Sequence, residues 1–137
     1  MRFHIQDLQM QMKTDKLAVY GTLRKGNSDT WKVDGYQIVF PGHYSYPAAL
    51  MDGNAKGAVV EVMDVDNSDL MGYDTYEGID TGLYERRRVD VYNDNGEKDK
   101  AWMYIIGPAL MQYNKVFELV PEQDWLSERA KKKRISI

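Results

Sequence analysis

Two segments of alternating apolar and polar residues, joined by a tight turn sequence, constrain the fold of this chain most strongly. The first covers residues 83–92 (LYERRRVDVY), and the second covers residues 100–107 (KAWMYIIG). Between them lies Asn-Asp-Asn-Gly at positions 93–96, a sequence typical of the turn in a β-hairpin. Alternation of this kind places every second side chain on the same face of a strand. The sequence therefore predicts an antiparallel hairpin.

Three further segments have the composition of strands. Residues 17–23 (LAVYGTL) form a short apolar run that leads into a turn, and residues 57–65 (GAVVEVMDV) give the clearest strand pattern of the chain. Residues 34–50 mix strand-like pieces with Pro41 and Pro47. Because proline cannot donate a hydrogen bond to a neighbouring strand, this stretch indicates a bent strand pair or an irregular sheet edge.

Helices are predicted at fewer places. The Asp-Asn-Ser sequence at 66–68 offers N-caps for a helix over residues 69–77, which ends at Gly78. A second helix is predicted over residues 121–134, and a single helical turn around residues 28–31.

The order of these elements excludes a doubly wound parallel sheet, because that fold requires strands that alternate regularly with long helices. We expect an α+β fold instead, with a small, mostly antiparallel, barrel-like sheet flanked by helices. No repeat or linker sequence divides the chain of 137 residues. Residues 1–15 are therefore interpreted as an N-terminal extension, and residues 16–137 as a single domain.

The composition excludes several kinds of chemistry. The chain has no cysteine, which rules out disulfides, thiolate nucleophiles and zinc–thiolate centres. His4 and His43 are far apart in the sequence and have no metal-ligand spacing, so no metal site is expected. Neither the GxSxG motif of serine hydrolases nor a glycine-rich nucleotide-binding motif is present. A carboxylate, tyrosines and backbone amides remain as groups for catalysis.

The charge pattern favours neither nucleic acid nor a membrane as a partner. The formal net charge is −3, and no segment is apolar enough to be a signal peptide or a membrane span. We therefore expect a soluble, cytoplasmic protein. The basic run at 129–134 could bind phosphate, but we favour a solvated helix end, since cations near a helix C-terminus complement its dipole. Nothing in the sequence specifies an oligomeric state.

One face of the predicted helix over residues 69–77 carries a carboxylate of interest. At 100° per residue, Leu70, Tyr73, Asp74 and Glu77 share this face, with Leu70 and Tyr73 expected to point toward the core. Burial and the negative end of the helix dipole would both raise the pKa of Glu77, as acid–base catalysis near neutral pH requires. From the residues alone, an ordinary exposed glutamate is the more frequent explanation.

The turn after the first strand is a second candidate for function. Successive backbone amides in a turn that contains Gly21 and Gly26 can bind an anion, and Arg24 or Lys25 would add positive charge. A plain connection between two elements is the alternative, and this signal alone does not decide between them.

Taken together, these segments resemble the gamma-glutamylcyclotransferase-like family. The motifs that carry the resemblance occur in the family's order and span residues 19–105: VYGTLRKG (19–26), YPA (46–48), GAVVEV (57–62), DTYEG (74–78) with YERRRVDV (84–91), and AWMYI (101–105). The YGTL loop is closest to the gamma-glutamylamine cyclotransferase and avirulence-induced plant protein-like branch. Two positions depart from the usual pattern, Ala58 and Tyr73, and we interpret both as variation in packing.

The resemblance implies roles for six residues. Glu77 corresponds to the family's catalytic carboxylate. The residues implied to bind the substrate are Tyr20, Gly21, Thr22 and Leu23, whose amides would hold its α-carboxylate, and Tyr104 of the last strand. The implied reaction is attack of the α-amine of a gamma-glutamyl compound on its own γ-carbonyl, which gives 5-oxoproline and a free amine. It needs neither a metal nor an organic cofactor.

Two alternatives stay open at this stage. The same scaffold could carry a related acyl lyase or transferase that uses Glu77 on another amine-bearing substrate. It could also be a non-catalytic module that binds a ligand or partner. The presence of both Glu77 and the YGTL loop argues against the second, because a binding module does not need both. The identity of the leaving amine cannot be deduced from the sequence.

Overall fold

The predicted hairpin is the longest strand pair of the fold. The computed structural model describes residues 14–21, 23–26, 29–42, 46–113 and 116–127. Strands β6 (Tyr84–Tyr92) and β7 (Lys98–Ile106) pair antiparallel from Tyr84 opposite Ile106 to Tyr92 opposite Lys98. In the turn, the Asn93 side chain accepts hydrogen bonds from the amides of Asn95 and Glu97. The hairpin prediction is confirmed.

Five strands close into a barrel around this hairpin. The others are β1 (Asp15–Val19), β2 (Thr30–Val33) and β5 (Ala58–Val65), and the order around the barrel is β1-β5-β2-β6-β7. Neighbours pair antiparallel except β1 and β7, which run parallel where the barrel closes. Apolar side chains fill the interior, among them Ala18, Val33, Val60, Val91, Ala101 and Met103. The predicted barrel-like α+β architecture is therefore confirmed.

A second, smaller sheet packs against the barrel. It contains β3 (Tyr36–Pro41), β4 (Ala48–Met51) and β8 (Phe117–Leu119) in the order β4-β3-β8, all antiparallel. Ile38, Phe40 and Ala49 belong to the same buried cluster as the barrel interior. Residues 34–50 thus contain a strand pair, β3 and β4, one of the two possibilities that the sequence left open. Strand β8 was not predicted.

The mid-chain helix, here α1 (Asn67–Tyr76), occurs where the sequence predicts it. Asp66 is the N-cap, and a reciprocal capping box joins it to Asp69. The helix ends at Glu77, and Gly78 then adopts a left-handed backbone with φ 70°. A single 3-10 turn follows (Ile79–Thr81). A second helix, α2 (Pro108–Tyr113), was not predicted.

Two helix predictions are wrong. Thr30 and Trp31 lie in β2 rather than in a helical turn, and Ser28 lies outside the described residues. The chain after Pro121 forms one 3-10 turn instead of an α-helix, because Glu122 and Gln123 have φ angles of 61° and 53°.

A side chain explains why the segment after Pro121 is irregular. The side-chain oxygen of Gln123 accepts a hydrogen bond from the backbone N–H of Ile38 at 2.6 Å, and its side-chain nitrogen donates to the Ile38 carbonyl at 2.9 Å. These are the bonds that the backbone of a neighbouring strand would make. This places Trp125 in the core, where it is 9% exposed. The rest of the predicted helix with its basic run, and residues 1–13 of the predicted N-terminal extension, lie outside the described residues. Within the described ranges, no helix is long and apolar enough to cross a membrane.

Candidate active site

A cavity of about 390 Å³ brings together five of the six residues that the sequence analysis selected. Its lining includes Tyr20, Gly21 and Leu23 from the turn after β1, Glu77 from the end of α1, and Tyr104 from β7. Thr22, the sixth, lies outside the described residues. These positions are as much as 84 residues apart in the chain, yet the barrel closure beside α1 places them around one space.

Gly21 is required by a close approach between two of the motifs. A Cβ atom at this position would lie 2.7 Å from the Cγ atom of Pro47, a distance that side chains do not tolerate. Pro47 is buried and also lines the cavity. The glycine of the YGTL motif therefore lets the turn pack directly on the segment before β4.

The same turn is held from behind by a buried carboxylate. Glu61 of β5 accepts hydrogen bonds from the Arg24 Nε atom at 2.8 Å and from the amides of Lys25 at 3.0 Å and Gly26 at 3.2 Å. Arg24 also donates to Asp124 at 2.6 Å. Burial opposes ionisation of Glu61, but the hydrogen bonds and the charge of Arg24 outweigh it, so the pKa of Glu61 lies below its usual value.

This arrangement corrects part of the predicted anion site. The Arg24 side chain is only 3% exposed and forms ion pairs with Glu61 and Asp124, so it does not supply charge to the cavity. The amides of Lys25 and Gly26 are bound to Glu61, and the amide of Arg24 donates to the Gly21 carbonyl at 2.9 Å. Among the described amides of the turn, those that precede Arg24 are therefore the candidates for binding an anion in the cavity.

Glu77 enters the cavity from the end of α1. Its own amide closes the helix by donating to the Tyr73 carbonyl at 2.8 Å, so its backbone position is well defined. The side chain is partly buried, and no hydrogen bond or ion pair to its carboxylate occurs among the residues that the structure describes. Burial raises the pKa of Glu77 above its ordinary value.

Three tyrosine hydroxyls around the cavity donate their protons to the protein. Tyr20 donates to the Tyr104 carbonyl at 2.8 Å, and Tyr84 donates to the Pro47 carbonyl at 3.0 Å. Tyr104 donates to the Asp74 carboxylate at 2.7 Å. Burial raises the pKa of both Tyr84 and Tyr104, so these hydroxyls keep their protons at neutral pH. The Tyr20 hydroxyl also accepts from the Ala49 amide at 3.1 Å, so it ties β7 to β4.

Several lining residues were not assigned to the site from the sequence. They are Tyr46, Pro47, Tyr76, Leu83, Tyr84 and Leu110. Tyr46, Pro47, Tyr76 and Tyr84 lie inside the family motifs, and this position was the signal that could have found them. Tyr76 is 76% exposed, Leu83 42% and Tyr46 40%, so exposed apolar and aromatic side chains form part of the cavity lining. Their spacing in the sequence gave no sign of this.

No group of three or more histidine, cysteine, aspartate or glutamate side chains within the described ranges could hold a metal ion. The cavity presents carboxylate, phenol and backbone groups instead, which suit proton transfer and hydrogen bonding to a small polar molecule.

Comparisons with known proteins agree with the resemblance seen in the sequence. A solved gamma-glutamyl cyclotransferase has a TM-score of 0.61 at 13% identity, with 91% of this chain and 88% of that chain covered. An AIG2-like protein from Mus musculus has a TM-score of 0.58 at 19% identity, with 72% and 82% covered. A protein from Pyrococcus horikoshii has a TM-score of 0.53 at 26% identity, with 88% and 93% covered. No curated protein sequence matches the chain significantly.

The structural likenesses show a shared fold. A family model described as gamma-glutamyl cyclotransferase, AIG2-like, matches residues 17–127, which is most of the chain. This stretch contains the YGTL and DTYEG motifs and every described residue that lines the cavity. The chain therefore belongs to the gamma-glutamyl cyclotransferase, AIG2-like family.

Proposed function

We propose that the protein is a cyclotransferase that converts a gamma-glutamyl amine or gamma-glutamyl amino acid to 5-oxoproline and a free amine, with Glu77 as its general acid and base. The observation that carries the proposal is the partly buried carboxylate of Glu77 in the cavity formed with the Gly21 turn. A carboxylate with a raised pKa can both take and return a proton near neutral pH.

The turn after β1 would hold the α-carboxylate of the substrate. Amides of Gly21 and Leu23 remain for this purpose, since those of Lys25 and Gly26 are bound to Glu61. Backbone amides in a turn bind anions without a cationic side chain. An esterified or decarboxylated substrate should therefore be a poor one.

The chemical step requires little beyond position and proton transfer. Glu77 would take a proton from the α-ammonium group, and the freed amine would attack the γ-carbonyl to close a five-membered ring. The ring nitrogen then loses its second ammonium proton to solvent, so that one N–H remains in 5-oxoproline. The bond between the γ-carbon and the departing nitrogen breaks as Glu77 returns its own proton to that nitrogen. Holding the substrate in a folded conformation, with its amine beside its γ-carbonyl, supplies a large part of the acceleration. Well-oriented intramolecular reactions reach effective molarities of about 10⁵–10⁸ M.

The test is an assay for 5-oxoproline with a panel of gamma-glutamyl amines and dipeptides. Replacement of Glu77 by Gln keeps the shape but cannot carry the proton, so turnover should fall by about 10²–10⁴-fold while substrate binding persists. Glu85→Gln is the matched control, because Glu85 is 44% exposed, pairs only loosely with Arg87 at 3.6 Å, and is not part of the cavity lining. Turnover of Glu77→Gln close to that of the wild type would exclude Glu77 as the acid–base group.

A further inference from the structure

The Tyr104 hydroxyl has one proton, and the structure assigns it to Asp74. The distance from the hydroxyl oxygen to Asp74 Oδ1 is 2.7 Å, as expected for a hydroxyl that donates to a carboxyl oxygen. A hydroxyl group offers one donor and two acceptor sites. Toward a molecule in the cavity, the Tyr104 side chain therefore has only lone pairs left to offer.

Arg86 contacts both carboxylate oxygens of Asp74. Its Nε atom lies 2.9 Å from Asp74 Oδ1, and its Nη2 atom donates to Oδ2 at 3.2 Å. The guanidinium in turn lies over the ring of Trp102, 4.3 Å from the centroid, and the Trp102 indole donates to Asp15 at 2.9 Å. Forked contacts and stacking of this kind restrict the orientation of arginine. Asp74 is thus supported from β6 and β7 while it faces Tyr104.

Two other tyrosines beside the cavity also use their hydroxyl protons in hydrogen bonds to the protein. Tyr20 and Tyr84 also donate their protons to backbone carbonyls, and Glu77 contributes a carboxylate. Of the five tyrosines that line the cavity, Tyr20, Tyr84 and Tyr104 therefore have only hydroxyl lone pairs left to offer beside the Glu77 carboxylate. A ligand group that fits this region is itself a donor, such as an ammonium or amine.

We infer that Tyr104 accepts a hydrogen bond from the α-amine of the substrate, and that Asp74 and Arg86 are positioning residues that keep its hydroxyl turned for this purpose. The inference rests on the proposed function. After Glu77 has removed one proton, the neutral amine has two N–H bonds and one lone pair. A Tyr104 oxygen that accepts from one N–H leaves the lone pair directed at the γ-carbonyl. A hydroxyl that donated here would instead bind the lone pair and oppose the attack.

The test is a double-mutant cycle measured by kcat/KM for 5-oxoproline formation. Tyr104→Phe removes the acceptor and should lower kcat/KM by about tenfold or more, since a hydrogen bond to a charged or developing-charge group is lost. Asp74→Asn should cause a loss of similar order. Because Asp74 acts through Tyr104, the double variant should be no worse than Tyr104→Phe alone. Losses that multiply in the double variant would overturn the assignment of Asp74.

Tyr92→Phe is the matched control, because Tyr92 makes the same kind of bond away from the cavity. Its hydroxyl donates to Asp34 at 2.7 Å, and it also lies on the β6–β7 hairpin. If loss of any tyrosine–aspartate bond merely loosened the barrel, Tyr92→Phe would lower kcat/KM as much as Tyr104→Phe does. We expect kcat/KM unchanged in Tyr92→Phe.

A substrate-side measurement covers the case in which Asp74→Asn does not fold. A gamma-glutamyl compound with an N-methyl group on its α-amine has one N–H fewer, so it should react more slowly than its parent with the wild type. With Tyr104→Phe, this difference should shrink, because the acceptor is already gone. An N-methyl penalty that is the same in both proteins would contradict the inference.

The outcomes separate this inference from the proposed function. If the wild type forms no 5-oxoproline from any member of the panel, the proposed function fails and the role of Tyr104 fails with it. If the wild type cyclises the substrate but Tyr104→Phe keeps its full kcat/KM, only the role of Tyr104 fails.

Discussion

Replacement of Glu61 by Ala tests whether the buried ion pair between Glu61 of β5 and Arg24 holds the turn that lines the cavity. Glu61 is 3% exposed and accepts hydrogen bonds from Arg24, Lys25 and Gly26. Without it, the Arg24 side chain, which is also 3% exposed, keeps Asp124 as its one ion-pair partner among the residues that the structure describes. Two backbone amides also lose their acceptor. Loss of a partner from a buried, hydrogen-bonded charge is among the costlier defects that a single substitution can produce.

The expected loss follows from these contacts. Removal of one partner from a buried ion pair typically costs about 3–5 kcal/mol in the free energy of unfolding. For a chain of this length, a loss of that size lowers Tm by roughly 10–20 °C, at about 3–4 °C per kcal/mol. Urea denaturation followed by circular dichroism measures the loss directly. Glu61→Gln keeps an acceptor oxygen without the charge and should fall between Glu61→Ala and the wild type.

Asp64→Asn provides the matched control on the same strand. Asp64 pairs with Lys16 at 2.9 Å, but its side chain is 69% exposed, and exposed ion pairs contribute only about 0–1 kcal/mol. Equal losses for Glu61→Ala and Asp64→Asn would refute the reasoning, because Glu61 is buried and also binds two backbone amides, whereas Asp64 is exposed. We also expect Glu61→Ala to raise KM for cyclisation, since Gly21 and Leu23 precede the residues that Glu61 holds.

Two further predictions concern Glu77 and Gly21. Burial raises the pKa of Glu77 in the folded protein. The wild type therefore loses stability as the pH rises from the pKa of Glu77 in the unfolded chain to its higher pKa in the folded protein. Glu77→Gln should therefore gain stability relative to the wild type between pH 4 and pH 8 in urea titrations, and a gain that shrinks with pH would contradict this. Gly21→Ala places a Cβ atom 2.7 Å from Pro47 and should destabilise by about 1–3 kcal/mol and raise KM. The control, Gly72→Ala in α1, meets no atom within 4 Å and should stabilise by about 0.5–1 kcal/mol in thermal melts, because alanine favours a helix.

Local sequence patterns predicted the regular elements well where the signal lies within a few residues. Alternation and the Asn-Asp-Asn-Gly turn specified the β6–β7 hairpin, and the capping residues with Gly78 specified both ends of α1. Patterns failed after Pro121, where an apparent helix is replaced by the bond between the Gln123 side chain and Ile38. That bond joins residues 85 apart, so no local pattern contains it.

For the candidate site, too, the sequence shows which residues are available, and the tertiary structure shows how they are arranged. The motifs show a carboxylate at a helix end and a turn that contains glycine. The same motifs carry the resemblance to the family. Their convergence depends on the barrel closing through the parallel β1–β7 contact, which brings Tyr20 to Tyr104. The structure also decided that Arg24 compensates Glu61 rather than serving the cavity, and that Tyr104 donates to Asp74. Burial and hydrogen-bond direction depend on every neighbour in three dimensions, whereas a sequence motif records only which groups are available.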